Sequence, residues 1–297
     1  MQSIKSILVT GVATLENHAA NRGEKLLGNA SSVKRRPDGR VYISGQMQRH
    51  VLFSAMDRIN EGDPNRGQTY VSNGDAISTN IAIDLRSDLG GFLDTTVGEY
   101  SGRRTAPISA TPAVALQESK VGQDLLIRLK VSQEKDAKKQ AFATNEFSQS
   151  DEMVMNFHLD VGAVGVTKKF EYKDEKHLGT HYVSHIDDEE HFRRVRLFLE
   201  ASRSMTDYAN QARNAVSGEP NRVLIVLDPG MSRKAMQYFT VDELHQQRIL
   251  KELENRGAKY FLGDDTDANA TSVYSAYEQA MEAINAGQLY RPETVAE

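Results

Sequence analysis

An α+β fold follows from three features of the sequence. Runs of β-branched and aliphatic residues recur between stretches with a four-residue apolar period, a long Gly/Pro/Ser/Thr-rich region interrupts that alternation, and there is no internal repeat. At 297 residues and 39% hydrophobic content, the chain is long enough for one large domain or two smaller ones around a sizeable core.

The elements read in order. SIKSILVTGVATL, residues 3–15, is a strand leading into the polar loop ENHAANRGEKLLGNASS. VKRRPDGRVYIS, residues 33–44, places Pro37, Asp38 and Gly39 between two extended arms, which is the chemistry of a hairpin turn. Met47, Val51, Ala55 and Ile59 then recur every four residues, so an amphipathic helix starts at Gly45 with Ser44 as its N-cap. Residues 62–112 read as loops and short strands inserted into the main domain. MVMNFHLDVGAVGV, residues 153–166, returns to strand, with Gly162 and Gly165 marking a turn, and DEEHFRRVRLFLEASRSM, residues 188–205, has helical spacing. RVLIVLD, residues 222–228, suits a central strand. The last third reads as helical. Thr240 to Glu243 form a capping box for a helix with Leu244, Ile249 and Leu253 facing inward and Gly257 ending it, and SVYSAYEQAMEAINAG gives a second helix.

Composition removes several classes of chemistry. The absence of cysteine excludes disulfides, thiolate metal sites, iron–sulfur clusters and cysteine nucleophiles. No G-x-S-x-G elbow, H-E-x-x-H pair or G-x-x-x-x-G-K phosphate loop is present. The N-terminal residues lack the pattern of a signal peptide and no apolar run approaches a membrane span, so a cytoplasmic protein is expected. His177, His181 and His185 recur every four residues, as zinc ligands on a helix would. The glycine and β-branched residues between them favour a strand, where neighbours stand about 13 Å apart, and no metal or other cofactor is expected.

Net charge is −5, but its distribution is uneven. Residues 21–50 hold seven Lys/Arg against two acids, whereas residues 242–297 hold eleven acids against five bases. Asn21 and Arg22 follow the first strand, Lys34, Arg35, Arg36 and Arg40 lie on the hairpin, and Gln46, Arg49 and His50 open the helix. A loop, a hairpin and a helix start can converge on one phosphate path, with amide N–H groups and guanidinium forks as donors. Arg40 also has Asp38 across the turn as a partner, and Tyr42, Ile43, Met47 and Val51 read as sheet or core residues.

N-R-G-E at 21–24, K-R-R-P-D-G-R-V-Y-I-S-G-Q at 34–46 and R-H at 49–50 resemble the DevR-type autoregulator family, the backbone subunits of type I CRISPR Cascade complexes, here of a type I-B-like kind. D-L-G-G-F-L at 88–93, R-R-T-A-P-I-S-A-T-P-A-V-A-L at 103–116, F-H-L-D-V-G-A-V-G at 157–165 and R-V-L-I-V-L-D-P at 222–229 follow in family order.

The resemblance implies a ferredoxin-like, RNA-recognition-motif-like palm (1–61, 151–203 and 222–297), an inserted finger region (62–150) and a thumb loop (204–221), together shaped like a right hand. It also implies a non-catalytic subunit whose copies stack head to tail along a guide CRISPR RNA and present it for pairing with target DNA. The implied partners are further copies of the chain and the guide 5′-end cap, large and small subunits of the complex. Residue by residue, Asn21, Arg22, Lys34, Gln46, Arg49 and His50 match positions that touch guide RNA phosphates, and Arg103 and Arg104 are further candidates. Where the family often has paired thumb glycines, this chain has Tyr208 to Asn214, in which Gln211, Arg213 and Asn214 keep suitable chemistry. The rival readings are a duplex-DNA-binding autoregulator and an RNA-processing enzyme using His177, His181 and His185.

Overall fold

The computed structural model describes residues 3–25, 31–64, 66–71, 78–94, 102–130, 139–174 and 176–294. In chain order its strands are β1 (Ser6–His18), β2 (Arg22–Lys25), β3 (Ser31–Val33), β4 (Tyr42–Ile43), β5 (Phe92–Asp94), β6 (Gly102–Arg104), β7 (Ile108–Ala110), β8 (Ala113–Ala115), β9 (Val121–Lys130), β10 (Lys139–Asp160), β11 (Val166–Lys173), β12 (Lys176–Ser184), β13 (Arg222–Asp228) and β14 (Lys259–Asp264). Its α-helices are α1 (Gly45–Gly62), α2 (Leu85–Gly90), α3 (Asp188–Ser202), α4 (Glu243–Asn255) and α5 (Val273–Ala286). None of the described helices is long and apolar enough to cross a membrane.

The central sheet runs β14–β13–β1–β10, each pair antiparallel, and β10 carries β7 and β8 on its far side. The helices α1 and α3 lie in the connections from β1 to β7 and from β10 to β13. Alternation along the strands divides the side chains between two faces. Ile7, Val9, Ala13 and Leu15 of β1, Met153, Met155, Phe157 and Leu159 of β10, and Val223, Ile225 and Leu227 of β13 pack with the buried faces of α1, α3 and α5 in one core. On the opposite face Leu8, Leu224 and Val226 meet Ala235, Tyr238, Leu253 and Ala258, from the 3-10 turn Lys234–Thr240, α4 and the residue before β14.

Side-chain caps start the helices where the sequence places them. Ser44 accepts from the Met47 N–H at α1, Asp187 from Glu190 at α3 and Ser272 from Ser275 at α5. The Pro37–Gly39 turn closes by Arg36 N to Arg40 O at 2.9 Å, with Gly39 at φ +81°. At α4 the expectation is corrected: Asp242, not Thr240, is the cap, because Thr240 still belongs to the preceding 3-10 turn. Leu244 is 57% exposed rather than inward, while Leu253 is buried.

The last third is not wholly helical, since KYFLGD forms edge strand β14 against β13. Strand β12 carries His177 and His181, as the glycine and β-branched residues around them favour, and pairs with β11, while β9 pairs with the first half of β10. Within 62–150, β7 and β8 belong to the central sheet, while α2 and the β5–β6 hairpin stand apart from it. Tyr208 is buried, with its hydroxyl donating to Gln48 Oε1 at 3.1 Å, and the Gly218 N–H donates to the Met205 carbonyl at 2.7 Å.

Two buried polar features set stability. The Asp88 carboxylate, fully buried in α2, accepts from Arg104, from Arg194 Nη1 at 2.6 Å and from the Gly165 N–H at 3.0 Å. The Asp88→Ala variant leaves the buried Arg104 guanidinium without a carboxylate and Arg194 with only one of its two, and urea unfolding is expected to show a loss of about 3–5 kcal/mol.

His158, on the second face of the sheet, is fully buried and neither ring nitrogen has a partner among the described residues. Burial, helped by Arg233 and opposed by Asp228, pulls its imidazole down to about 4. The unfolded chain therefore binds a proton near pH 6.5 that the folded chain refuses. His158's contribution to stability is full above that pH and falls, by on the order of 3 kcal/mol, as pH drops to about 4. Unfolding measured across this range is expected to show a shallower slope for His158→Leu than for the parent.

Candidate nucleic-acid interface

The first turn of α1 is assembled from three separated segments. Asn21 Oδ1 accepts from the Ser44 N–H at 2.6 Å, fixing the loop after β1 to the helix cap. The chain at 206–214 closes over the same loop: Asn210 Nδ2 donates to the Ala19 carbonyl and Asn214 Nδ2 to the Asn17 carbonyl, both at 2.7 Å. Asp207 accepts from Ser54 Oγ at 2.7 Å and stands 3.5 Å from His50 Nε2, tying the segment to the next turns of α1. Asn17 and Asn210 take positive φ of 45° and 63°, a conformation asparagine tolerates better than most residues.

This arrangement sorts the sequence candidates. Gln46, His50 and Arg213 are exposed. Asn21, Asn214 and Gln211 are partly exposed and spend polar groups on holding the segment together, Gln211 Nε2 donating to the Thr206 carbonyl at 2.7 Å. Arg49 donates to the Gly90 carbonyl at 2.5 Å and lies over the Phe53 ring. Burial and the neighbouring Arg86 pull its guanidinium below the ordinary value. Arg22 lies in β2, and its side chain is outside the described part of the structure.

The hairpin separates its cations by pairing. Tyr42 N bonds Lys34 O and Arg36 N bonds Arg40 O, so Lys34, Arg36, Arg40 and Tyr42 share one face and Arg35 and Val41 the other. Arg35 reaches Glu146 at 3.2 Å. Arg40 forms the expected pair with Asp38 at 2.7 Å.

The Arg104 side chain is almost wholly buried, and its guanidinium donates to Asp88, to the Val166 carbonyl at 2.7 Å and to the Ala163 carbonyl at 2.8 Å, so it holds the fold together. Its neighbour Arg103 is exposed and lines a groove of ≈ 1200 Å³ between β5–β6 and the β11–β12 ribbon.

Lys168, Lys169, Phe170, Tyr172 and Tyr182 line the same groove. Asp160 is the single carboxylate among its described lining residues, and burial raises its carboxyl against the N–H groups of Ala163 and Gly162. The ring of His177 meets Phe170 and Tyr172 edge-on at 5.9 and 5.6 Å, while Lys168 lies over Phe170. The cation–aromatic alternation K-K-F-E-Y-K carried this signal in the sequence.

The three spaced histidines lie on or just after strand β12 and find separate partners: His177 with Thr180, His181 with Glu171 and His185 with Thr167. No group of three or more His, Cys, Asp or Glu residues able to hold a metal occurs among the described residues.

The chain connects to known proteins through its fold and family. A subunit chain of a solved CRISPR RNA-guided surveillance complex superposes with a TM-score of 0.60 at 13% identity, covering 94% of this chain and 99% of that one. A chain of a second such complex, in a pre-nicking state, gives 0.55 at 10% identity with the same coverage. A comparison with curated proteins finds no match. The family model for the CRISPR-associated negative auto-regulator DevR/Csa2 matches residues 9–217, most of the chain, and the protein belongs to that family.

Proposed function

We propose that this chain is a non-catalytic, RNA-binding backbone subunit of a type I CRISPR surveillance complex, stacking with further copies along a guide RNA that it presents to target DNA. The observation that carries the reading is the convergence at the start of α1, where Asn21 ties the loop after β1 to the helix cap and Asn210 and Asn214 tie residues 210–214 to the end of β1 and the residue after it, so that exposed Gln46, His50 and Arg213 belong to segments held together. Such a site offers amide and cationic donors without base-specific geometry, as a subunit that must accept any guide sequence requires.

A ferredoxin-like palm is supported by the order strand–helix–strand–strand–helix–strand, with β13, β1, β10 and β7/β8 adjacent in that order. The thumb role is better suited to the β11–β12 ribbon than to residues 204–221. The ribbon exposes Phe170, Tyr172 and Leu178, whereas the 204–221 segment is docked on α1 and β1. The path for RNA then runs from the start of α1, past the Gly90 carbonyl that Arg49 holds, to the groove that Phe92 and Arg103 share with the ribbon. The cap, large and small subunits of the complex and the target strand remain the partners of this reading.

Single-stranded RNA titrated across a salt series tests the first part. A Gln46→Glu, His50→Glu, Arg213→Glu triple variant is expected to bind roughly 10–100-fold more weakly, with a shallower salt slope. Unchanged binding would move the site, and a parent protein that prefers duplex DNA would favour the autoregulator reading. For the ribbon, Phe170→Ala with Tyr172→Ala is expected to cost about 1–3 kcal/mol of RNA affinity for each base that loses a stacking partner, measured by fluorescence anisotropy without a matching loss of thermal stability.

A further inference from the structure

The second face of the central sheet carries a groove of ≈ 500 Å³ between the 34–42 hairpin, β8, β10 and the 3-10 turn Lys234–Thr240. Its walls are apolar, formed by Val114, Leu116, Val154 and Met236 with the Tyr42 ring at one side. Arg36 and Arg40 stand at its rim, and Lys34 shares their face of the hairpin. The one carboxylate paired with both arginines is Asp38 at the hairpin tip, and no carboxylate lines the groove itself. Deeper in the wall, Asn156 Nδ2 donates to Thr111 Oγ1 at 3.1 Å, while Asn156 Oδ1 is buried with no partner among the described residues.

We infer that this groove is a nucleotide pocket, distinct from the α1 site. In it a single base of the bound strand lies against the apolar wall with its phosphate on Arg36 and Arg40. The inference rests on the RNA-binding reading and adds a further contact point to it. The chemistry favours a nucleotide over a peptide. An extended peptide needs a free strand edge, and here the backbone N–H groups of Tyr42, Thr111, Ala115 and Leu116 are all paired, to Lys34, Asn156, Val41 and Glu152. A base needs only flat apolar or aromatic surface, a polar group for its edge and a cation for its phosphate. The Tyr42 ring, the Asn156–Thr111 pair and the two guanidiniums supply these.

Photocrosslinking of the full chain bound to 4-thiouridine-substituted single-stranded RNA, with the linked peptides mapped by mass spectrometry, tests the assignment. The expected result is linkage within residues 36–42 or 234–240, reduced at least about tenfold in an Arg36→Glu, Arg40→Glu variant, with linkage near the start of α1 retained. A groove-filling Val114→Trp variant should reduce the same linkages and leave the rim arginines in place. Linkages confined to α1 and the β11–β12 ribbon would overturn the pocket and leave the proposed function standing. Absence of any RNA linkage would overturn both. A protein partner linked in the groove of the assembled complex would replace the nucleotide with a peptide.

Discussion

The Asp88 carboxylate is the constraint from which the arrangement of the other parts follows. It lies in the six-residue helix α2, and its partners come from β6 (Arg104), from the turn after β10 (Gly165) and from α3 (Arg194). Arg194 in turn takes Glu190 at 2.6 Å and the carbonyls of Ile81 and Ala82. Burial alone would raise Glu190, and the guanidiniums of Arg193 and Arg194 more than offset it, holding its carboxyl below the usual range. Charges this deeply buried persist only with partners on every side, so four chain segments far apart in sequence are fixed to one point. Gly165 is at φ +65°, and a Cβ there would stand 2.1 Å from the end of the Ile186 side chain, so the turn that brings its N–H to Asp88 favours glycine.

That anchor explains how a loop-rich stretch can position a binding surface. Arg49 of α1 donates to the Gly90 carbonyl at the end of the same α2, and Phe92 begins the groove wall two residues on. The start of α1 and the groove by the ribbon are thus held in register by a helix whose own place is set by buried charge. The sheet contributes differently. Its helix-facing side is filled by aliphatic and aromatic residues, whereas the other side mixes Leu8 and Val226 with Thr10, Asn156 and His158. Only part of that mixed side is covered by the C-terminal elements, which leaves the groove beside the hairpin.

The sequence made legible what depends on local chemistry. Strand β13, the α1 cap at Ser44, the Asp38–Arg40 turn and the helices at 188–202 and 273–286 were readable because periodicity and capping act over a few residues. Partnerships across the fold were not. Arg104 and Arg103 are adjacent and identical in type, yet one is spent on Asp88 and the other lines a groove, and nothing within the R-R pair distinguishes them. Leu244 shows the same limit, since helical spacing gives it a side but not what covers that side. Strand β12 follows from the glycine and β-branched residues around its histidines, but its pairing with the lysine–aromatic alternation of β11 joins two segments and is set by neither alone.

The proposed binding of RNA by an acidic chain is less paradoxical in this geometry. Two of the arginines near the N-terminus are already partly neutralised, Arg35 by Glu146 and Arg40 by Asp38. Each copy therefore presents few free positive groups, and binding driven by phosphate contacts scales with their number. A single subunit of net charge −5 would hold RNA weakly, and its own acidic surface would discourage nonspecific adhesion to polyanions. In the proposed assembly each added copy meets an RNA already held by its neighbours, so its few contacts act at high effective concentration. Weak contact per subunit and net acidity then favour one ordered line of copies on a guide over scattered binding along any nucleic acid.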